Sequence, residues 1–313
     1  MGKLAFVFPG QGSQFVGMGK EISEVYPQAA ATYKEADKIL GYSISELCWQ
    51  GPEEELKKTF NTQPAILTTS IACWRIINDN GIVPDFVAGH SLGEYSALVA
   101  AGVMDFTDAV SLVRFRGQSM EQAVPSGMGT MAAILGLSSE KVLELCNQVQ
   151  KFGIVEPANF NCPGQIVIAG HTPAVEKTVE MAKKMGAKRA VMLSVSGPFH
   201  SSLLASAKEA IADRLGSIRI KDGMVPLVAN VNAQIIQEKN DIIKALVEQV
   251  TSPVLWENSV RTLAAAGVDT FVEIGPGKVL GGLIKKTIKD VRILNIQDPN
   301  TMENALALLK ECG

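Results

Sequence analysis

The sequence predicts an α/β fold: a parallel-sheet core with a smaller unit inserted in its middle. Three observations carry this expectation. Toward both ends of the chain, short apolar runs alternate with helical patterns, the signature of a parallel sheet covered by helices on both faces. Between residues 126 and 196 the order changes to βαββαβ, the ferredoxin-like split pattern. At Gly89-His90-Ser91-Leu92-Gly93 a strand runs into a G-x-S-x-G frame, which in α/β-hydrolase-like sheets turns sharply into a helix.

In chain order, Lys3 to Phe8 reads as a buried strand ended by Pro9-Gly10, and Val83 to Gly89 as a second strand leading into Ser91. Leu92 to Ala101 is a helix stopped by Gly102, and Thr107 to Ala123 another, with Thr107 as its N-cap. The insert reads as strands over 130–135, 153–158, 165–169 and 188–195, with helices over 138–150 and 172–184. Ser138 caps the first helix and Pro173 suits the first turn of the second. Asp269 to Ile274 is a late strand ending at Gly275-Pro276-Gly277. The expected division is a discontinuous large domain, 1–125 with 197–313, and a small domain, 126–196, with a cleft between them.

Composition narrows the function. The chain has 313 residues, 47% of them hydrophobic, and a net charge of −3, so no general basic field suits it to nucleic acid. Five cysteines, Cys48, Cys73, Cys146, Cys162 and Cys312, form no C-x-x-C pair and no even framework, as free thiols in a reducing cytoplasm would. The apolar run at the N-terminus is too short for a signal segment, Phe6 breaks a myristoylation pattern, and no stretch has the length of a membrane span. A soluble cytoplasmic protein is expected.

Ser91 is the candidate nucleophile. An alcohol needs a base beside it at neutral pH, and the glycines around Ser91 expose its oxygen at a helix N-terminus whose N–H groups suit an oxyanion. The chain offers three histidines. His90 adjoins Ser91 on the elbow and points elsewhere. His171 falls at a strand–helix boundary of the small unit, in a surface or turn role. His200, in SGPFHSSL, lies where the small unit rejoins the large one and faces the expected cleft, so it is the candidate base.

Leu112, Arg116 and Met120 share one face of the helix, so a cation sits on a partly buried surface. From spacing alone, an internal ion pair is the simpler reading of Arg116; a ligand carboxylate held by two parallel hydrogen bonds is the alternative. Pro9 to Gln14, PGQGSQ, follows the first strand as a phosphate loop would. It lacks the third glycine of a dinucleotide loop and the G-K-[ST] of a P-loop, whereas Gln11 could supply an oxyanion donor. No metal-ligand spacing stands out.

FPGQGSQ, GHSLGEYSAL, RFRGQSM and GPFH, in that order and followed by FVEIGPG, resemble the malonyl-CoA:acyl carrier protein transacylases and the acyltransferase domains of fatty-acid and polyketide synthases. The resemblance implies that Ser91 is the acyl-accepting nucleophile and His200 its acid and base. Gln11 and Leu92 would serve the oxyanion through their backbone N–H groups, and Arg116 would pair with the free malonyl carboxylate. His90 would be the histidine of the GHS motif. Met120, His90 and Phe199 would join Arg116 around the substrate, with Phe199 narrowing the pocket toward malonyl rather than methylmalonyl. The Gln249 main-chain carbonyl would orient His200 in place of a carboxylate.

The implied substrates are malonyl-CoA and acyl carrier protein, with no cofactor and no metal, and a monomer is expected. Carrier-docking candidates are Lys183, Lys184, Lys188 and Arg189, or Lys285, Lys286 and Lys289. The alternatives are a serine esterase or thioesterase, with Asp105, Asp108 or Glu156 completing a triad in chain order, and a non-catalytic scaffold.

Overall fold

Strict alternation along β1 (Lys3–Phe8) sends Phe6 and Phe8 to one side of a sheet and Ala5 and Val7 to the other, and all four are fully buried. A strand buried on both faces needs helices on both faces. This computed structural model describes residues 2–125 and 127–310, so the expected boundary at 126 and Cys312 lie outside the described residues.

The remaining described strands are β2 (Phe86–Gly89), β3 (Gly129–Leu135), β4 (Val155–Cys162), β5 (Gln165–His171), β6 (Arg189–Met192), β7 (Leu227–Val228), β8 (Ile235–Ile236), β9 (Val268–Ile274) and β10 (Arg292–Ile296). They make a six-stranded sheet ordered β10-β9-β1-β2-β7-β8 and a four-stranded sheet ordered β4-β5-β3-β6. The larger sheet is parallel from β10 to β7, with β8 returning antiparallel.

Phe6 and Phe8 pack with Leu67 and Ile71 of the helix Thr59–Asp79, Leu98 of Leu92–Ala100 and Val113 of Phe106–Ala123. Ala5 and Val7 pack with Val260 and Leu263 of Trp256–Ala265 and with Leu280 and Ile284 of Val279–Thr287.

The smaller sheet is antiparallel throughout, and its strand order is that of the split βαββαβ pattern. Ala132 and Ile134 face its own helices, packing on Val142, Leu145, Val175 and Val179. Met131, Val167 and Ala169, on the opposite face, join the core of the larger unit. That shared face is why a cleft forms between the two sheets.

Some element limits differ from expectation, each for a local reason. β2 starts at Phe86 rather than Val83, because Pro84 has no N–H for the ladder and Val83 stays exposed. β4 runs to Cys162, extended where Phe160 donates to the Val254 carbonyl at 2.9 Å and Val254 donates to that of Ala158 at 2.9 Å. β6 ends at Met192 because Leu193 and Val195 turn into the cleft. Asp105, not Thr107, precedes the helix Phe106–Ala123.

The elbow between β2 and its helix depends on two missing side chains. A Cβ on Gly93 would lie 2.0 Å from the Phe8 carbonyl oxygen, and one on Gly89 would lie 2.0 Å from the Gly93 carbonyl carbon. Both obstacles are backbone and cannot rotate away. Gly93→Ala is therefore expected to destabilise the protein by roughly 3 kcal/mol and to disturb Ser91 as well. Thermal melting with the acylation rate checks this; a wild-type melting temperature would refute the tight elbow.

Candidate active site

Ser91 is the residue that the turn strains. Its φ of 52° and ψ of −105° place it outside the broad wells of L-residues, as the cap before helix Leu92–Ala100. Asn230 holds it there: the Ser91 N–H donates to Asn230 Oδ1 at 2.7 Å, and Asn230 Nδ2 donates to the Gly89 carbonyl at 2.6 Å.

His200 meets it from the segment that rejoins the large unit. Its Nε2 lies 2.7 Å from Ser91 Oγ, and its Nδ1 lies 2.9 Å from the Gln249 carbonyl oxygen. A carbonyl only accepts, so Nδ1 carries the proton and the Nε2 lone pair faces the serine hydroxyl. Among the candidate triad acids, Glu156 instead accepts from Ser202 N and Oγ at 2.7 and 2.9 Å, and Asp105 faces Lys221 at 3.7 Å.

Burial pushes the His200 imidazole down to about 3, with the nearby Arg116 guanidinium as the next cause. The neutral ring, which is the form that accepts a proton, therefore persists far below the usual histidine range. Acylation at saturating thioester is expected to stay level from pH 8 down to about pH 5. An acid limb centred near about 6.5, the ordinary imidazole value, would contradict this environment.

Arg116 is almost fully buried. Its Nη1 donates to Gln63 Oε1 at 2.9 Å, and its Nη2 donates to Gln249 Oε1 at 2.9 Å and Ser91 Oγ at 3.3 Å. The Tyr95 ring lies 5.2 Å from the guanidinium carbon, and Nε has no partner. Every one of these acceptors is neutral, and among the described residues no carboxylate forms an ion pair with it. The internal salt bridge that spacing suggested is absent there. Burial pushes the guanidinium pKa down from its ordinary value. A desolvated cation hydrogen-bonded to amide and hydroxyl oxygens has the chemistry to receive an anion.

Ser91, His200, Arg116, Met120, Phe199, His90, Gln11 and Leu92 all line one cavity of about 110 Å³. Leu92 is the first residue of its helix, so its N–H has no intrahelical acceptor. Gln11 comes from the loop after β1, with Nε2 donating to Thr59 Oγ1 at 3.3 Å. His90 makes its contacts away from Ser91: Nε2 meets Asn161 Oδ1 at 2.8 Å, and the ring tilts against Trp256 at 5.8 Å. His171 serves a turn, where Nδ1 accepts from the Ile154 N–H at 3.0 Å.

A second cavity, of about 330 Å³, shares Gln11 and His90 with the first and extends past Asn161 and Gln165 to Val279 and Leu283. Gln165 also borders an open groove that contains Lys188 and Lys286, one cation from each candidate basic patch. Lys184, by contrast, pairs with Glu180 at 2.5 Å.

Gln63, Asn230, Asn161, Glu94 and the Gln249 side chain belong to the site without having been legible in the sequence. No motif marks the first three. Glu94 lies in GHSLGEYSAL, and Gln249 is expected at the site only through its main-chain carbonyl; nothing in either signals contact between their side chains.

A sequence model of the acyl transferase domain matches residues 5–309. Over 312 residues the chain is 53% identical to the malonyl CoA-acyl carrier protein transacylase of Bacillus subtilis, covering 99% of this chain and 98% of that one. It superposes with a TM-score of 0.94 on the acyl carrier protein S-malonyltransferase of Vibrio cholerae O1 biovar eltor, at 44% identity and covering 97% and 99% of the two chains. A malonyl-transacylase solved in complex with its holo type II PKS acyl-carrier protein matches with a TM-score of 0.96 and 44% identity, covering 98% and 99%. The chain belongs to the acyl transferase domain family and is an acyltransferase.

Proposed function

We propose that this enzyme moves a malonyl group from malonyl-CoA to the phosphopantetheine thiol of acyl carrier protein, for fatty-acid synthesis, in two half-reactions through a malonyl ester on Ser91. The observation that carries the reading is Arg116: a buried cation whose Nη2 lies 3.3 Å from the Ser91 oxygen and which forms no ion pair among the described residues. A malonyl ester on Ser91 carries its free carboxylate two carbons from the ester bond, within reach of that guanidinium. The small chamber admits a short acyl group, and Met120 and Phe199 close its walls.

In the first half-reaction Ser91 Oγ passes its proton to His200 Nε2 as the Oγ–carbon bond forms. The oxyanion is met by the backbone N–H groups of Gln11 and Leu92. The carbon–sulfur bond then breaks, and His200 returns the proton to the CoA thiolate. In the second half-reaction the carrier thiol gives its proton to His200, attacks the ester carbon, and Ser91 leaves with that proton. The Gln249 carbonyl holds one tautomer of His200 throughout, where other enzymes use a carboxylate.

The second cavity is the proposed path for the pantetheine arm of both donor and acceptor. Its neighbouring groove brings Lys188 and Lys286 to the side on which an acidic carrier and its phosphate would dock. Lys188→Glu with Lys286→Glu is expected to raise the carrier's KM roughly three- to tenfold at low salt and much less at high salt. An unchanged KM removes this groove from the docking surface.

The reading requires no metal or redox cofactor. One chain supplies every group of the site, so the monomer is the proposed working unit. The cytoplasm is the proposed compartment; Cys48, Cys73, Cys146 and Cys162 are free and buried, and no described helix is long and apolar enough to cross a membrane.

The test against a thioesterase is to mix the enzyme with malonyl-CoA alone and follow both products. Transfer predicts a burst of one CoA per enzyme with slow release of malonate. Sustained malonate release without a thiol acceptor would favour hydrolysis.

A further inference from the structure

Glu94 is a buried carboxylate that the two half-reactions do not use. It sits in the first turn of the helix after Ser91 and is 1% exposed. Its Oε2 accepts from Gln249 Nε2 at 2.5 Å, and its Oε1 has no partner. No Lys or Arg forms an ion pair with it among the described residues, so burial of this carboxylate is not explained by a salt bridge.

The Gln249 amide is the centre of a chain of contacts. Its Nε2 also donates to the Ser91 carbonyl at 3.1 Å, while its Oε1 accepts from Arg116 Nη2 at 2.9 Å. The main-chain carbonyl of the same residue accepts from His200. An amide flipped end for end would present two N–H groups to a guanidinium that has no acceptor. Glu94, with the Ser91 carbonyl beside it, opposes this by offering acceptors to the other end of the amide.

We infer that Glu94 is a positioning residue: its side-chain oxygen holds the Gln249 amide so that the amide oxygen faces Arg116, which in turn fixes the guanidinium that receives the acyl carboxylate. The inference rests on the malonyl-transfer reading. Burial pushes the Glu94 carboxyl up to about 7, yet either protonation state leaves an oxygen able to accept from Gln249. The role belongs to the hydrogen bond rather than to the charge.

The test compares Glu94→Met, which has no comparable acceptor, with Glu94→Gln, whose amide oxygen restores one. The readout is the ratio of kcat/KM for malonyl-CoA to that for acetyl-CoA. A merely structural role lowers the active fraction for both substrates and leaves the ratio unmoved. The expected result is a ratio about tenfold lower in Glu94→Met and within about twofold of wild type in Glu94→Gln.

An unmoved ratio in Glu94→Met overturns the inference. Equal losses in the two variants also overturn it, since charge would then be the agent. Should Glu94→Met fail to fold, Gln249→Met breaks the same link while keeping the carbonyl for His200. It is expected to show the same fall, and an unmoved ratio there is equally decisive. Wild-type enzyme that transfers no malonyl group would instead refute the transfer reading itself.

Discussion

Ser91→Ala is expected to lower malonyl transfer by about 10⁴-fold or more, with the fold intact. The loss is large because, in the proposed mechanism, both half-reactions would pass through one oxygen. The hydroxyl donates to His200 Nε2 at 2.7 Å and accepts from Arg116 at 3.3 Å, so its removal takes away the atom on which base and cation converge. The elbow does not depend on that oxygen. The backbone at 91 is held by Asn230, and the close approaches at Gly89 and Gly93 are backbone contacts. Melting temperature and CoA release measured on the same preparation separate the two effects. Appreciable covalent loading of Ser91→Ala would place the nucleophile elsewhere.

Arg116→Ala is expected to lower kcat/KM for malonyl-CoA by roughly 10²- to 10³-fold while changing acetyl transfer far less. The scale is that of losing one partner of a buried, hydrogen-bonded charge pair, about 3–4 kcal/mol. The direction follows from the surroundings. Gln63 and Gln249 hold the guanidinium through neutral oxygens, so on the proposed reading an acyl carboxylate would neutralise its charge. An acetyl group brings no such charge and gains nothing from Arg116. Arg116 would also favour transfer over hydrolysis, because a clamped carboxylate fills space beside Ser91 that an attacking water would need. Side-by-side kinetics with malonyl-CoA and acetyl-CoA decide the point; equal losses would mean that Arg116 supports the serine rather than the carboxylate.

The parts of this molecule that could be read from the sequence are those written locally. Alternation along Lys3–Phe8 reports a doubly buried strand, and the glycines flanking Ser91 report a sharp turn, because each pattern concerns neighbours in the chain. The order of the small unit was readable for the same reason. Strand limits were less so: β4 is extended by pairing with Val254, almost a hundred residues away in the chain, and β6 is cut short by a cleft that exists only after folding.

The site divides along the same line. With three histidines available, elimination led to His200. Spacing placed Arg116 on a buried face but favoured an internal ion pair, and the family resemblance reversed that. The acceptors around Arg116 are two amides and a hydroxyl, so the internal ion pair is not what holds it. Asn230, Gln63 and the Glu94–Gln249 link could not be read. Each is an ordinary polar residue whose role depends on a partner far along the chain.

The central claim is that Ser91 carries malonate between two thiols. Intact-protein mass spectrometry after malonyl-CoA, followed by addition of holo acyl carrier protein, tests it most directly. One malonyl group should appear on the enzyme, map to Ser91, and move to the carrier's phosphopantetheine thiol, restoring the free enzyme. A protein that gains no malonyl group, or one whose adduct is released only as free malonate with carrier present, would contradict it.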